Sequence, residues 1–240
     1  MTAINFNRDT RKETAMFPKC VERLASTLAI GLRLNKARAK YLAGIVIGAA
    51  EARSVLLSEL ATRIPGHATT TSKFRRLQDF FCEVLLDFNA VAALVMGFVG
   101  KLTNEPLTLA LDRTNWEARG NDVNILVLSV CLGDVGLPIF WVDLRMAGNS
   151  ATLCRIGLVQ QFVDLFGTDN IHVLVGDREF IGQDWFAGLI GRDIPFVMPC
   201  GRTFTFRPKE ERSARLYASF TDCDLANSVN WTIGSAAASR

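Results

Sequence analysis

The chain has 240 residues, 49% of them hydrophobic, and a formal net charge of +3 at pH 7. This length accommodates one large domain or two small ones, and the hydrophobic fraction is ample for a buried core. Six cysteines lie far apart without a CxxC pair, and the two histidines do not complete a zinc ligand set with them. The composition therefore excludes a typical zinc site and favours a protein with reduced thiols.

The charge is distributed unevenly along the chain. Residues 1–106 hold 15 Lys and Arg against 9 Asp and Glu, a net +6, whereas the remaining residues hold 12 against 15, a net −3. A basic N-terminal part followed by an acidic C-terminal part suits nucleic-acid binding beside a cation site. Ordinary variation of surface charge is the alternative explanation.

The sequence shows no sign of secretion or of a membrane span. Its beginning, MTAINFNRDTRKE, is polar and lacks the apolar stretch of a signal peptide. The most apolar runs, residues 42–50 and 88–100, are shorter than the roughly 20 residues that cross a bilayer. We therefore expect a cytoplasmic protein without a membrane partner, in which both runs form buried helices.

The first part of the chain is predicted to be helical. Residues 1–15 have the character of a flexible arm, and residues 16–106 that of a helical, basic DNA-binding region. The helical pattern over residues 21–60 is broken at residues 64–66, Ile-Pro-Gly. Hydroxyl groups over residues 69–72 can cap the next helix, which we predict over residues 72–87, and residues 89–99 form a further helix.

The predicted helix over residues 72–87 combines an apolar stripe with a basic start. The basic side chains form either a solvated surface or contacts to DNA phosphates; they are Lys73, Arg75 and Arg76. The apolar residues recur at helical spacing and are predicted to face the core; they are Phe74, Leu77, Phe81 and Leu85.

The pattern changes to strands at residue 107. In LTLALDRTNW, residues 107–116, three leucines alternate with Thr108, Ala110 and Asp112, so the two sets face opposite sides of a strand. Two further strands are predicted over residues 123–134 and 136–145. A tight turn between them predicts an antiparallel meander.

Helices and strands then alternate. We predict a helix over residues 151–166, a strand over residues 171–180 that delivers Asp177, a helix over residues 183–190 and a strand over residues 194–200. Residues 201–240 have the pattern of short strands followed by a frayed tail. The side chains of the first helix that are predicted to face inward are Leu153, Ile156, Leu158 and Val159.

This order of elements predicts an α/β fold of the RNase H-like type, with a mixed sheet, over residues 107–200. In that fold the first and fourth strands are neighbours, about 4.8 Å apart, which brings Asp112 and Asp177 together. A carboxylate in an apolar strand is costly to desolvate unless it is paired, protonated or bound to a metal. The pair therefore points to a two-metal site for phosphoryl transfer. The alternative is a strand-end aspartate that accepts a hydrogen bond from a neighbouring backbone amide.

Three segments resemble a known family. ALDRTNW and VGDREFIG, with HATTTSKFRRLQDFF upstream, are similar to bacterial insertion-sequence DDE transposases of the subgroup with a β-rich insertion in the catalytic domain. The resemblance covers most of residues 55–200. It implies that Asp112 and Asp177 are the first two metal-binding carboxylates, for two Mg²⁺ (or Mn²⁺) ions, and that the partner is DNA at transposon ends, with a possible homodimer on DNA. The motif residues that would support the aspartates and contact the DNA backbone are Arg113, Asn115, Trp116, Arg178 and Phe180.

The sequence departs from this family at the third carboxylate. The family places a glutamate in a spaced Tyr, Arg, Glu and Lys signature after the insertion, and neither Glu210 nor Glu211 lies in such a pattern. We expect residues 201–240 to be a partial β-rich insertion and the chain to be a truncated, inactive transposase. Two alternatives stay open: a DNA-binding regulator or inhibitor of transposition without catalysis, and a stand-alone nuclease with a third carboxylate from within the chain.

Overall fold

The computed structural model describes residues 9–118, 121–144 and 150–199. These residues form a mixed α/β structure with seven α-helices and one five-stranded mixed sheet. The chain divides into two compact units, Met1–Phe98 and Val99–Arg240. The first unit is helical and the second contains the sheet, so the architecture changes close to the point at which the sequence pattern changes. The predicted insertion and tail, residues 201–240, lie outside the described residues.

The predicted continuous helical stretch over residues 21–60 is divided by two breaks. The first break has Arg33 at a left-handed φ of 52° and ends at the N-cap residue Asn35, and Arg53, at φ 50°, caps the C-terminus of the second helix. The helices of this part of the chain are α1 (Asp9–Gly31), α2 (Lys36–Ala52), α3 (Leu57–Arg63), α4 (Thr70–Glu83) and α5 (Phe88–Val99).

Side-chain caps determine where two of these helices begin. The Asn35 side chain accepts a hydrogen bond from the Arg38 amide at 2.9 Å, at the start of α2. The Thr69 hydroxyl accepts one from the Ser72 amide at 3.3 Å, at the start of α4. Each bond satisfies a backbone N–H that has no partner inside the helix. The predicted hydroxyl cap is therefore confirmed, although α4 begins at Thr70, two residues earlier than predicted.

Two hydrophobic clusters form the core of the helical unit. Helices α1 and α2 pack against each other, and α3 packs against α2 and α4. The first cluster consists of Val21, Ala25, Leu28, Ala39 and Ala43. The second consists of Ile45, Leu60, Ala61, Ile64, Leu77 and Phe80.

The predicted apolar stripe of α4 is wrong at two positions. Leu77 faces the core as predicted, but Phe80 is buried beside it whereas Phe81 is exposed. Leu85 is 93% exposed because α4 ends at Glu83, so this residue is no longer on the helix. The predicted burial of residues 88–100 is also wrong for one face of α5, where Phe88 and Phe98 are exposed.

Over the described residues, no single helix has the length and apolar character needed to cross a bilayer. Two pairs of consecutive helices have this length and apolar character only when both helices of a pair are counted together, and the two pairs are bent by 102° and 109°.

The sheet has the strand order β3-β2-β1-β4-β5. Strand β1 pairs with β2, and β2 with β3, in the antiparallel direction, which confirms the predicted meander. Strands β1 and β4 are parallel neighbours, as predicted, and β5 is parallel to β4. Gly133 forms the turn after β2 with a φ of 58°, a conformation that favours glycine. The strands are β1 (Leu107–Ala118), β2 (Asn121–Leu132), β3 (Val135–Asp143), β4 (Ile171–Gly176) and β5 (Phe196–Val197).

The two faces of the sheet differ in burial. On the covered face, the leucines at positions 107, 109 and 111 are buried together with their neighbours on β2, Leu128 and Val130. On the other face, which we call the open face, Thr108 and Ala110 are half-buried and Asp112 is exposed. The predicted alternation of β1 is therefore confirmed.

Two helices follow the meander: α6 (Thr152–Phe166) and α7 (Gln183–Ile190). Helix α6 packs on β2 and β3 and against α7. Its buried residues include Leu158 and Val159, as predicted, but Leu153 is 83% exposed, so its predicted inward position is wrong. The buried stripe runs through Arg155 instead, because Arg155, Leu158, Val159 and Phe162 share one side of the helix.

Candidate functional site

Strand pairing brings Asp112 and Asp177 together. In the parallel pair β1–β4, Leu111 is opposite Gly176, and each aspartate is the next residue of its chain segment. Neighbouring strands lie about 4.8 Å apart, so the two aspartates leave the paired region side by side. Asp112 alternates in phase with Ala110, whose partner is Val175, so the pair belongs to the open face. Both aspartates are exposed.

Each carboxylate accepts a hydrogen bond from the amide of the residue that follows it. The Arg113 amide donates to Asp112 Oδ1 at 2.7 Å, and the Arg178 amide donates to Asp177 Oδ1 at 2.6 Å. The local amide contact named in the structural alternative is therefore present at both positions. It uses one oxygen of each carboxylate, and within the described part of the chain the other oxygen, Oδ2, accepts no hydrogen bond.

The donor set fits one hydrated Mg²⁺ ion. Magnesium prefers oxygen ligands and is commonly held by one or two carboxylates, with water and substrate phosphates completing the octahedron. Asp112 and Asp177 supply two such carboxylates at one place. Over residues 9–118, 121–144 and 150–199, no group of three or more His, Cys, Asp or Glu side chains is placed to hold a metal ion.

Arg113 lies on the covered face and forms a two-pronged ion pair. Its Nε donates to Glu179 Oε1 at 3.1 Å, and its Nη2 donates to Glu179 Oε2 at 2.6 Å. The two side chains are 17% and 27% exposed. The predicted contact of Arg113 with the DNA backbone stays a prediction, but this guanidinium already has a protein partner.

Arg155 is a buried charge near the site that the sequence analysis missed. It is 4% exposed, its Nε donates to Ser150 Oγ at 2.7 Å, and its Nη2 donates to the Ser150 carbonyl oxygen at 2.7 Å. Burial lowers the pKa of the Arg155 guanidinium, and the charge of Glu179 opposes that shift. An arginine at a position where the helical period requires an apolar residue was the signal available in the sequence.

The other predicted motif residues lie around the end of β1 and β4. Arg178 is exposed directly after Asp177, and Phe180 is fully buried. Asn115 and Trp116 belong to β1, opposite Asn124 and Val123 on β2, and their side chains lie outside the described residues.

The predicted basic DNA contacts lie in the helical unit. Arg75 and Arg76 are exposed on the first two turns of α4, and Lys73 is half-buried. The Tyr41 hydroxyl donates to the Lys73 carbonyl oxygen at 3.4 Å, and burial raises the pKa of Tyr41. The start of α4 is thus attached to α2 and presents two cations to solvent.

A scan against protein-family models and a search of curated proteins both find no match to this chain. The functional assignment therefore depends on the motif residues and on the geometry described above.

Proposed function

We propose that this chain is a DNA transposase of the DDE lineage. Asp112 and Asp177 hold a divalent cation for DNA cleavage and strand transfer at transposon ends. The observation that supports this most directly is the position of the two aspartates at the end of paired parallel strands. The strand order and directions agree with those expected of an RNase H-like fold, which is the fold we propose for this unit.

The residues of the open face have separate roles in this proposal. When bound, the cation would act as a Lewis acid that polarises a phosphoryl oxygen of a phosphodiester. The amide hydrogen bonds to Asp112 and Asp177 orient one oxygen of each carboxylate and leave the other available. Exposure of both side chains lets a DNA phosphate approach, and Arg178 is placed to bind a phosphate beside Asp177. Such a protein acts on DNA in the bacterial cytoplasm, with a homodimer on DNA as the assembly that the resemblance suggests.

A second candidate function is DNA binding without catalysis, as a regulator or inhibitor of transposition. It is favoured by the lack of a third carboxylate beside Asp112 and Asp177 among the described residues. Removing one electrostatic stabiliser of a transition state typically costs about 10²–10³ in rate, and a missing metal ligand acts in the same direction. A stand-alone nuclease would need that third ligand from Glu179, which is bound to Arg113, or from residues outside the described ranges.

Metal binding tests the site itself. We expect Mn²⁺ binding, measured by calorimetry, to be abolished by Asp112→Ala and by Asp177→Ala, because one carboxylate leaves too few protein ligands. Asp134→Ala is the matched control, since Asp134 is an exposed aspartate in the turn between β2 and β3. Equal Mn²⁺ affinity in the parent and in the Asp112→Ala/Asp177→Ala double variant would falsify the site.

Cleavage separates the two candidate functions. The full chain is incubated with transposon-end DNA and Mn²⁺, and nicking is followed on a gel. Nicking that disappears in Asp112→Ala supports the transposase. Mn²⁺ and DNA binding without nicking supports the regulator, which is the result we expect if no third carboxylate completes the site.

A further inference from the structure

An ion pair connects the two chain segments that deliver the aspartates. Arg113 follows Asp112 on β1, and Glu179 lies in the short 3-10 turn Arg178–Phe180 that follows Asp177. Their two-pronged contact joins residues 66 positions apart. Because paired N–H···O bonds fix both distance and direction, this contact constrains the end of β1 relative to the turn.

The turn that carries Glu179 is itself built on Asp177. The Asp177 side chain accepts the Arg178 amide at 2.6 Å, and its carbonyl oxygen accepts the Phe180 amide at 2.9 Å. A shift of the backbone that carries Glu179 is therefore coupled to the backbone of Asp177. On the other strand, Arg113 is bonded through its amide to the carboxylate of Asp112.

Arg155 adds a third charge from helix α6. Its guanidinium carbon lies 5.1 Å from the centre of the Phe180 ring, in the same turn as Glu179. Its bonds to Ser150 orient the guanidinium. Burial lowers the Arg155 pKa, the charge of Glu179 raises it and the charge of Arg113 lowers it. A buried arginine with this many contacts is costly to displace, because removal leaves its polar partners without donors.

We propose that Arg113, Glu179 and Arg155 form a charged bracket beneath the open face that sets the separation of Asp112 and Asp177. These three are positioning residues: they lie behind the two aspartates and act through the backbone segments that carry them. The inference deepens the proposed function, because the purpose of a fixed separation is the binding of a cation. Glu179 therefore belongs to the bracket and does not serve as the third metal ligand.

The bracket is tested by Glu179→Gln, which keeps the shape of the side chain and removes its charge. We expect Mn²⁺ affinity to fall about 10- to 100-fold, the range typical when an outer residue that orients metal ligands is changed. Arg113→Gln should give a similar loss. The Arg113→Gln/Glu179→Gln double variant should lose no more than the worse single variant, because both changes break one contact.

Two controls separate positioning from general loss of stability. Phe162→Leu truncates a fully buried side chain of α6 without changing a residue of the bracket, so it lowers stability and should leave the Mn²⁺ affinity of the folded protein unchanged. Lys40→Gln removes a different ion pair, with Glu22 in the helical unit, and should also leave Mn²⁺ affinity unchanged. Equal Mn²⁺ affinity in Glu179→Gln and the parent would overturn the bracket.

Hydrogen exchange tests the bracket without any metal. We expect Glu179→Gln to accelerate exchange at the amides of Arg113, Arg178 and Phe180, while β3 exchanges at the parental rate. If the parent fails to bind Mn²⁺ but exchange accelerates as described, the proposed function fails and the bracket is supported. Unchanged exchange at these three amides contradicts the bracket whatever the metal result.

Discussion

Asp112 is exposed, so the cost of burial is not the reason to expect a metal at this residue. A carboxylate buried in an apolar strand is costly to desolvate, but water reaches the Asp112 side chain. The remaining reason is the proximity of two like charges, those of Asp112 and Asp177. Two carboxylates about 5 Å apart in water repel each other by about 0.8 kcal/mol, which a bound divalent cation reverses. The juxtaposition, not the burial, is the physical argument for a metal.

The surroundings of individual cysteines also predict that their thiols differ in reactivity. The four described cysteines are free, with Cys20 and Cys82 exposed and Cys131 and Cys154 half-buried. Burial raises the pKa of the Cys131 thiol. Because the thiolate is the reactive form, a raised pKa leaves less of it at neutral pH.

We therefore expect iodoacetamide at pH 7 to alkylate Cys82 faster than Cys131, with the difference narrowing as the pH rises toward 9. Peptide mass spectrometry over a time course measures both rates in the same sample, and Cys20 serves as a second exposed reference. Equal rates at pH 7 would show that burial does not suppress the Cys131 thiolate.

At the scale of elements, the strands were predicted better than the helix faces. Alternation along β1 has a period of two, so a single leucine series fixes both faces. The order of elements then placed β1 beside β4, and this pairing brings Asp112 to Asp177. In α6 the apolar residues occupy more than one side of the helix. The sequence is therefore compatible with a buried side through Leu153 and with a buried side through Arg155. Packing on the sheet selected the second.

The charged bracket could not be predicted from the sequence. Arg113 and Glu179 are 66 positions apart, and no periodicity relates them. Their contact depends on the register of β1 against β4 and on the 3-10 turn after β4, which only the folded chain defines. The local caps were predictable because Thr69 and Ser72 are three residues apart and need no tertiary contact.

The cap of α4 gives a stability prediction. Thr69→Ala should lower the free energy of unfolding by about 1 kcal/mol, because the Ser72 amide loses its side-chain acceptor. Thr70→Ala is the matched control: this exposed threonine is the first helical residue, and alanine is a better helix former. Urea denaturation followed by circular dichroism measures both variants. A Thr70→Ala protein as destabilised as Thr69→Ala would contradict the role of the cap.

At the scale of the whole molecule, charge and architecture follow the same division. The net +6 of residues 1–106 falls mainly on the helical unit, and the net −3 of the rest falls on the unit with the sheet. Phosphate contacts release counterions from DNA, so binding through the basic unit should weaken steeply as salt rises. The acidic unit has no excess of positive charge, and under the proposed function its carboxylates would hold the cation.

We expect the Arg75→Ala/Arg76→Ala variant to bind DNA more weakly than the parent and with a salt slope reduced by about 2, one for each lost phosphate contact. Fluorescence anisotropy at several salt concentrations gives both quantities. Lys19→Ala/Arg23→Ala is the charge-matched control, because it removes two exposed cations from α1. Equal losses in the two variants would mean that net charge and not the start of α4 determines binding, and an unchanged salt slope in both would place the contact elsewhere.

Because the side chains of β1 alternate between a covered and an open face, neighbouring residues of this strand are under different kinds of selection. A substitution at Leu109 or Leu111 affects every copy of the protein that has to fold. Under the proposed function, a substitution at Asp112 affects only a cell in which the reaction still matters. Selection for folding and selection for the proposed reaction would therefore act on alternate residues of one strand. If the proposed function is correct, a lineage that no longer needs transposition would keep the leucines of β1 and accumulate changes at Asp112.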